Sequence, residues 1–267
     1  MCRRASLTAF SFEDEPKMTA FRRILLSTAL APLALGLAAC SKEDAAPTGP
    51  TGEPIAKIAP PAGKTWAETV VITPEGGYRM GNPDAPIKVV EFASLTCSHC
   101  AEFAEAASAE LRDNYVASGR VSYELRNFVR DAIDITATQL TQCGTPETFF
   151  ALTDQVFAYQ QGIFEKAQAA SKEQQQAAFA LPPAQRGPAL GELTGLTEYV
   201  TARGISKDQA NACLADAAKA EKLAAQTQAQ GEQYQIEGTP TFLINGKKTD
   251  YNTWDKLKAD LERLGAR

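Results

Sequence analysis

Glu91-Phe92-Ala93-Ser94-Leu95-Thr96-Cys97-Ser98-His99-Cys100 sets two cysteines three positions apart at a junction between two patterns. Upstream, Ile87, Val89 and Val90 form a short β-branched run bounded by Pro86, the pattern of a buried strand. Downstream, Phe103, Ala107, Leu111 and Tyr115 recur every four residues until Gly119, which predicts an amphipathic helix with a stop signal at its end. The cysteines therefore fall where a strand passes into the first turn of a helix. Unpaired backbone N–H groups and the positive end of the helix dipole gather there, and both stabilise an anion such as a thiolate. Cys97 is expected to be acidic for a thiol.

Other chemistries that use a Cys-x-x-Cys pair fail on composition. The chain has a single histidine, His99 inside the motif, and no second Cys-x-x-Cys, so a closed zinc site would need both distant cysteines. Covalent haem wants His after the second cysteine, where this chain has Ala101. A Cys-His or Ser-His-Asp hydrolase needs a histidine from elsewhere, and there is none. Two readings remain, a redox pair and an inert structural disulfide at a helix start.

Six cysteines are present. Cys2 and Cys40 lie in an export region, leaving Cys97, Cys100, Cys143 and Cys213 in the body. From Met18 a basic Phe-Arg-Arg segment leads into an uncharged run from Ile24 to Ala39, which reads as a secretory signal occupying residues 1–39. The run is too short for a spanning helix. Glu13, Asp14 and Glu15 are out of place in such a signal, so Met18 is the expected true start. Leu37-Ala38-Ala39-Cys40 resembles a bacterial lipobox and makes Cys40 a candidate lipidated N-terminus; an ordinary signal peptide ending near a cysteine is the competing reading. Residues 40–68 are then a Pro, Gly and Ala-rich tether. Removing residues 1–39 leaves 22 basic and 29 acidic side chains, a net charge of −7, which argues against nucleic acid or anionic lipid as partners. Export also permits disulfides. Cys143 ends a helical stretch before Gly144, and Cys213 sits in a helix that Ser206 caps with Gln209 at the third position. Joined, they would close a loop of about 70 residues and act as a staple; two buried thiols that never meet are the alternative.

Along the chain, Val70 to Ile72 is a short strand, and Val121 to Leu125 alternates as a half-buried one. Strand, helix and strand make a βαβ unit with functional groups beyond the carboxyl end of its first strand, where Cys97 falls. From Asp131 to about Gln230 the text turns Ala and Gln-rich with helical spacing at Phe149, Leu152, Val156 and Tyr159. Further helices at Glu192 to Val200 and Lys207 to Tyr234 are broken by Pro182-Pro183, Pro188 and Gly204. Gly238-Thr-Pro-Thr-Phe-Leu-Ile-Asn-Gly246 returns to strand, with Asn245-Gly246 as a hairpin turn, and Tyr251 to Leu264 closes as an amphipathic helix. Pro240 cannot donate to a ladder, so it belongs at the strand's first residue or edge; a cis bond is one solution and a trans turn the other.

In this order the motifs resemble the DsbA branch of the thioredoxin superfamily, exported bacterial thiol-disulfide oxidoreductases, over residues 70–267. The resemblance implies an α/β thioredoxin fold with an inserted all-helical domain, residues 69–129 and 232–267 forming the former and 130–231 the latter. It also implies Cys97 as the exposed reactive sulfur, Cys100 as its buried partner and Pro240 in cis facing them. Glu91, six residues before Cys97, matches a buried acidic position of that family. Alternation puts it on the face of Ile87 and Val89, as a desolvated proton acceptor near Cys100 or a glutamate reaching solvent at the strand's end. Ser98 stands where the best-known members have Pro, and Thr239 where they have Val; a threonine there is shared with thioredoxins and disulfide isomerases. The expected activity is introduction of disulfides into unfolded exported proteins in the periplasm, without metal or organic cofactor. Hydrogen bonds and positive potential from the helix start and His99 would favour the reduced enzyme, and substrate backbone would pair beside Thr239. The resemblance implies a quinone-linked membrane oxidase as electron acceptor. The rivals are an isomerase or reductase with the same site, and a tethered chaperone that holds clients without turnover.

Overall fold

The computed structural model describes residues 52–267. The expected signal segment, the Met18 start, Cys40 and the first part of the tether lie outside the described residues. Among the described residues there are six strands: β1 (Val70–Ile72), β2 (Tyr78–Gly81), β3 (Ile87–Ala93), β4 (Val121–Asn127), β5 (Thr241–Ile244) and β6 (Lys247–Lys248). They form one mixed sheet in the order β1-β2-β4-β3-β5-β6. The central pair β3 and β4 is parallel, with Ile87 opposite Val121 and Glu91 opposite Leu125; every other pairing is antiparallel. Parallel neighbours need a crossover. It is α1 (Ser98–Glu110), prolonged by a π turn over Leu111–Val116 and ended by Gly119 at φ +75°. A side chain at Gly119 would also strike the Ile58 carbonyl and the Trp66 indole.

Between β4 and β5 the chain makes eight helices: α2 (Ala132–Thr141), α3 (Phe149–Ala158), α4 (Gln160–Ala169), α5 (Lys172–Ala180), α6 (Pro183–Leu193), α7 (Leu196–Thr201), α8 (Lys207–Leu214) and α9 (Ala217–Tyr234). The architecture is thus a thioredoxin-like α/β fold carrying a helical insertion. Their starts follow local chemistry. Asp131 caps α2 by accepting from the N–H groups of Ile133 and Asp134, Ser171 and Gln174 make a reciprocal capping box on α5, and Ser206 caps α8. The last helix, α10 (Trp254–Arg263), lies along α1. Trp254 meets Phe103 and Tyr115 edge-on, and Lys258 pairs with Glu110 at 2.7 Å.

Two expectations are corrected and one unforeseen strand is added. β4 is buried at all seven residues rather than half-buried, because α1 and α3 cover the Tyr123 face of the sheet's centre and α9 the face of Phe92 and Arg126. β2, four residues after Gly76-Gly77, had no independent pattern and is defined by its pairing with β1 and β4. Pro188 does not break the chain but sits inside α6, where fully buried Leu190 and the close approach of Gly187 to Leu214 hold the helix in place. Of the tether, the part from residue 52 is laid on the domain. Gly52 N–H donates to Arg263 O, Ile55 N–H to Gly265 O and Ile58 N–H to Ser118 O, while the buried Trp66 donates its indole N–H to Ile58 O.

Candidate active site

Cys97 occupies the N-cap of α1 with extended backbone, φ −97° and ψ 120°, and no side chain caps this helix. The first N–H groups of α1 are therefore free to face the sulfur. The loop before it is held from the insertion. Buried Asp134 on α2 accepts from Ser94 Oγ at 2.6 Å, Leu95 N at 2.9 Å and Arg130 N at 3.0 Å, and Gln160 on α4 donates one amide group to Leu95 O at 2.9 Å and Cys97 O at 3.0 Å. Burial pushes the Asp134 carboxyl up to about 7, against the pull of those donors. From the other side, β5 pairs antiparallel with β3, Phe242 opposite Glu91 and Thr241 opposite Phe92. That register brings the cis Thr239-Pro240 peptide to the end of β3, and Thr239 O lies 3.1 Å from Cys97 Sγ.

Cys97 and Cys100 are both reduced, and their environments drive them apart. The Cys97 thiol is lowered to about 4. The largest cause is the hydrogen bond from Cys100; burial opposes it, and the Thr239 hydroxyl and the backbone N–H groups of Cys100 and His99 add to it. That hydroxyl is buried with no hydrogen-bond partner in the resting site, so its help to the anion depends on its turning toward the sulfur. Thr239 O acts in the opposite sense, since it can only accept from the protonated thiol. Cys100 is completely buried, and burial, the neighbouring Cys97 and the charge of Glu91 all push its thiol far up. His99 serves the anion through its backbone N–H. Its ring is exposed and turned to Glu102, 3.1 Å away, which raises the imidazole pKa.

Glu91 is 1% exposed, on the face shared with Ile87 and Val89, and accepts a hydrogen bond from the Tyr123 hydroxyl of β4. Burial raises its carboxyl to about 8, Tyr123 opposes this, and the charges of Asp154 and Cys97 reinforce it. Cys143 and Cys213 are joined in a disulfide away from this centre, linking the loop after α2 to α8. The structure thus gathers Cys97, Cys100, His99, Glu91, Thr239 and Pro240 at one place and leaves the Cys143–Cys213 pair outside it. Sequence reading missed Tyr123, Asp134, Asp154 and Gln160, all polar residues inside apolar helical or strand patterns.

A sheet whose central parallel pair delivers two cysteines to a helix start, Cys100 fully buried and Cys97 buried at 5% exposure rather than standing exposed as expected, faced by a cis proline, defines a thioredoxin-fold protein with a thiol redox centre. A family model described as Thioredoxin matches residues 73–263, and the chain belongs to that family. A Rickettsia bellii protein with the provisional name protein-disulfide oxidoreductase is 27% identical over 203 residues, covering 76% of this chain and 70% of its own. The crystal structure of a protein-disulfide isomerase from Novosphingobium aromaticivorans is 34% identical, with a TM-score of 0.66 over 70% of this chain and 96% of that one. Wolbachia pipientis α-DsbA1, 22% identical with a TM-score of 0.57 over 75% of this chain and 96% of its own, shares the fold. Family, fold and site together make this a thioredoxin-family protein-disulfide oxidoreductase.

Proposed function

We propose that the protein introduces disulfides into exported proteins by passing on the Cys97–Cys100 disulfide. The observation that carries this is the placement of Cys97 at the uncapped start of α1, where helix N–H groups and Cys100 lower its thiol, beside a fully buried Cys100 whose thiol is pushed up. A thiolate stabilised only in the reduced enzyme makes the disulfide the less stable form, hence an oxidant. A substrate thiolate attacks Cys97, Cys100 leaves and takes a proton from Glu91, and a second substrate thiolate releases the product disulfide and the Cys97 thiolate. Thr239 and Pro240 hold the substrate's extended backbone, with recognition of unfolded chain rather than of sequence. Reoxidation falls to a quinone-linked membrane oxidase. In this scheme residues 69–129 and 232–267 are the redox domain, residues 130–231 its helical cover stapled by Cys143–Cys213, and Cys40 is a lipidated anchor facing the periplasm. Among the described residues no helix is long and apolar enough to cross a membrane.

A second reading, isomerase, is favoured by Thr239 and by the likeness to the Novosphingobium protein. Equilibration with glutathione separates them. An oxidising potential supports the oxidase, whereas a strongly reducing one removes it. Cys97→Ser tests the chaperone alternative, since oxidation of a reduced test protein is expected to stop, and holding of an unfolded one to persist only if the protein is a chaperone.

A further inference from the structure

Cys100 is fully buried and Glu91 nearly so, yet the reaction above changes the proton count of both. At the moment Cys100 leaves, the substrate is bonded to Cys97 and covers the front of the site. The proton that Glu91 gives up must be replaced from behind. Behind it lies a narrow, partly open cavity of about 30 Å³, lined by Glu91, Tyr123, Ser108, Arg112 and Asp154 among mostly apolar residues. A cavity of that size has room for about two waters, and these five groups offer the partners such waters need. Outside lies an open surface groove of about 560 Å³ beside α1 and α3. Cavity and groove have Ala104, Ser108, Arg112, Asp154 and Phe157 in common. Of these, Asp154 alone is a carboxylate. Its Oδ1 accepts from Ser108 Oγ at 2.8 Å.

We propose that Asp154, from the helical insertion, is the outer station of a proton path that runs from the surface groove through the cavity to Glu91 and on to Cys100. This rests on the redox reading of Cys97 and Cys100 given above. In substrate oxidation the first substrate thiolate forms a bond to Cys97 Sγ, the Cys97–Cys100 bond breaks, and its electron pair leaves on Cys100. The Glu91 acid protonates that sulfur and becomes a carboxylate, which Asp154 refills across the cavity and recovers from solvent. Two substrate thiols are oxidised to one disulfide; of their two protons one ends on Cys100 and one in solvent. With a disulfide such as oxidised glutathione as acceptor, the same path carries the Cys100 proton out.

The groups that face this path are Cys97 and Cys100 at the start of α1, Tyr123 on β4, Ser108 on α1, Arg112 on the π turn and Asp154 on α3, with Glu102 and Glu105 of α1 lining the outer groove only. Arg112 is the only cation among them, and it already pairs with Asp113 at 2.8 Å. Burial raises Asp154 above the ordinary aspartate range, with Ser108 and Arg112 opposing, so both carboxyls of the path exchange protons nearer neutrality than free acids do. Asp154 acts through Glu91 and does not touch the reacting sulfurs.

The test compares wild type, Asp154→Asn and Asp154→Glu in single-turnover reduction by a dithiol peptide, by rapid quench and alkylation from pH 5 to 9. Asp154→Asn is expected to leave the Cys97 thiolate titration in place and to slow the reaction by about tenfold or more at neutral pH. Small buffer acids that enter the groove restore the rate in that variant and do nothing in wild type, while Asp154→Glu retains most of it. A variant with the wild-type rate and pH profile overturns the path, and so does a rate loss that no buffer acid restores. Should wild type itself fail to exchange thiols, the redox reading falls first; wild type turning over with an unaffected Asp154→Asn removes the path alone.

Discussion

The Cys100→Ala variant probes the stabilisation of Cys97 most directly. Its S–H is the largest influence holding the Cys97 thiol at about 4, against an ordinary value of 9.0. A hydrogen bond to a charged group contributes about 1.5–3 kcal/mol, so its loss is expected to raise Cys97 by about one to two pKa units. At pH 6 the wild-type sulfur is then about 99% ionised and the variant's roughly 50–90%, where an unperturbed thiol reaches about 0.1%. The same shift sets the redox balance. A folded pKa depressed in the reduced form adds stability that is fully present above the ordinary thiol value and is lost as pH falls through about 4. At pH 7 it favours the reduced enzyme about a thousandfold, on the order of 90 mV of oxidising power over an unshifted pair. Iodoacetamide labelling of reduced protein from pH 3 to 9, with the Cys97 peptide followed by mass spectrometry, reads both midpoints. A wild-type midpoint near 8 or 9, or a Cys100→Ala midpoint that does not move, refutes the reasoning.

Glu91 gives a pH signature of opposite sign. Its folded pKa is raised to about 8, so the stability it contributes is present below its ordinary 4.5 and lost as pH rises toward 8. Urea unfolding is expected to weaken over that window by up to about 5 kcal/mol more in wild type than in Glu91→Gln, with buried Asp134 adding its own loss to both proteins. Gln160→Leu leaves the Leu95 and Cys97 carbonyls without their shared donor and is expected to cost about 1–3 kcal/mol in urea unfolding while slowing thiol exchange, because the loop carrying the sulfur loses its tie to α4. Replacing Cys143 and Cys213 together by serine opens a link across 70 residues and is expected to lower stability by up to about 4 kcal/mol without moving the Cys97 alkylation midpoint.

The β3–α1 junction could be read from sequence because its signals are local: a β-branched run, a four-residue apolar spacing and two cysteines between them. The insertion was readable as helix for the same reason. β2 was not, since its four residues acquire strand character from two neighbours, the three-residue β1 just before it and β4 more than 40 positions on. β4 looked half-buried because its alternation is real, and only the arrival of Tyr234 from α9 against Phe92 and Arg126, with Glu124 tied to Thr73 and Arg126, covers the second face. Glu91 shows the limit most clearly. Alternation assigned its face, but whether the carboxylate reached water depended on Tyr123, 32 residues later, and on the cavity that Asp154 lines. Gln160 and Asp134 read as ordinary polar positions on helices; their use as clamps exists only once the insertion docks on the sheet.

The strap from Gly52 to Trp66 enters the domain beside Ser118 and Arg263, at the far ends of α1 and α10 from Cys97. Nineteen helical residues, on the order of 25 Å, separate that entry from the sulfur. Under the anchored reading proposed above, a pull through residue 52 would act at the end of α1 remote from the sulfur, so the length of the leash could change without bending the site.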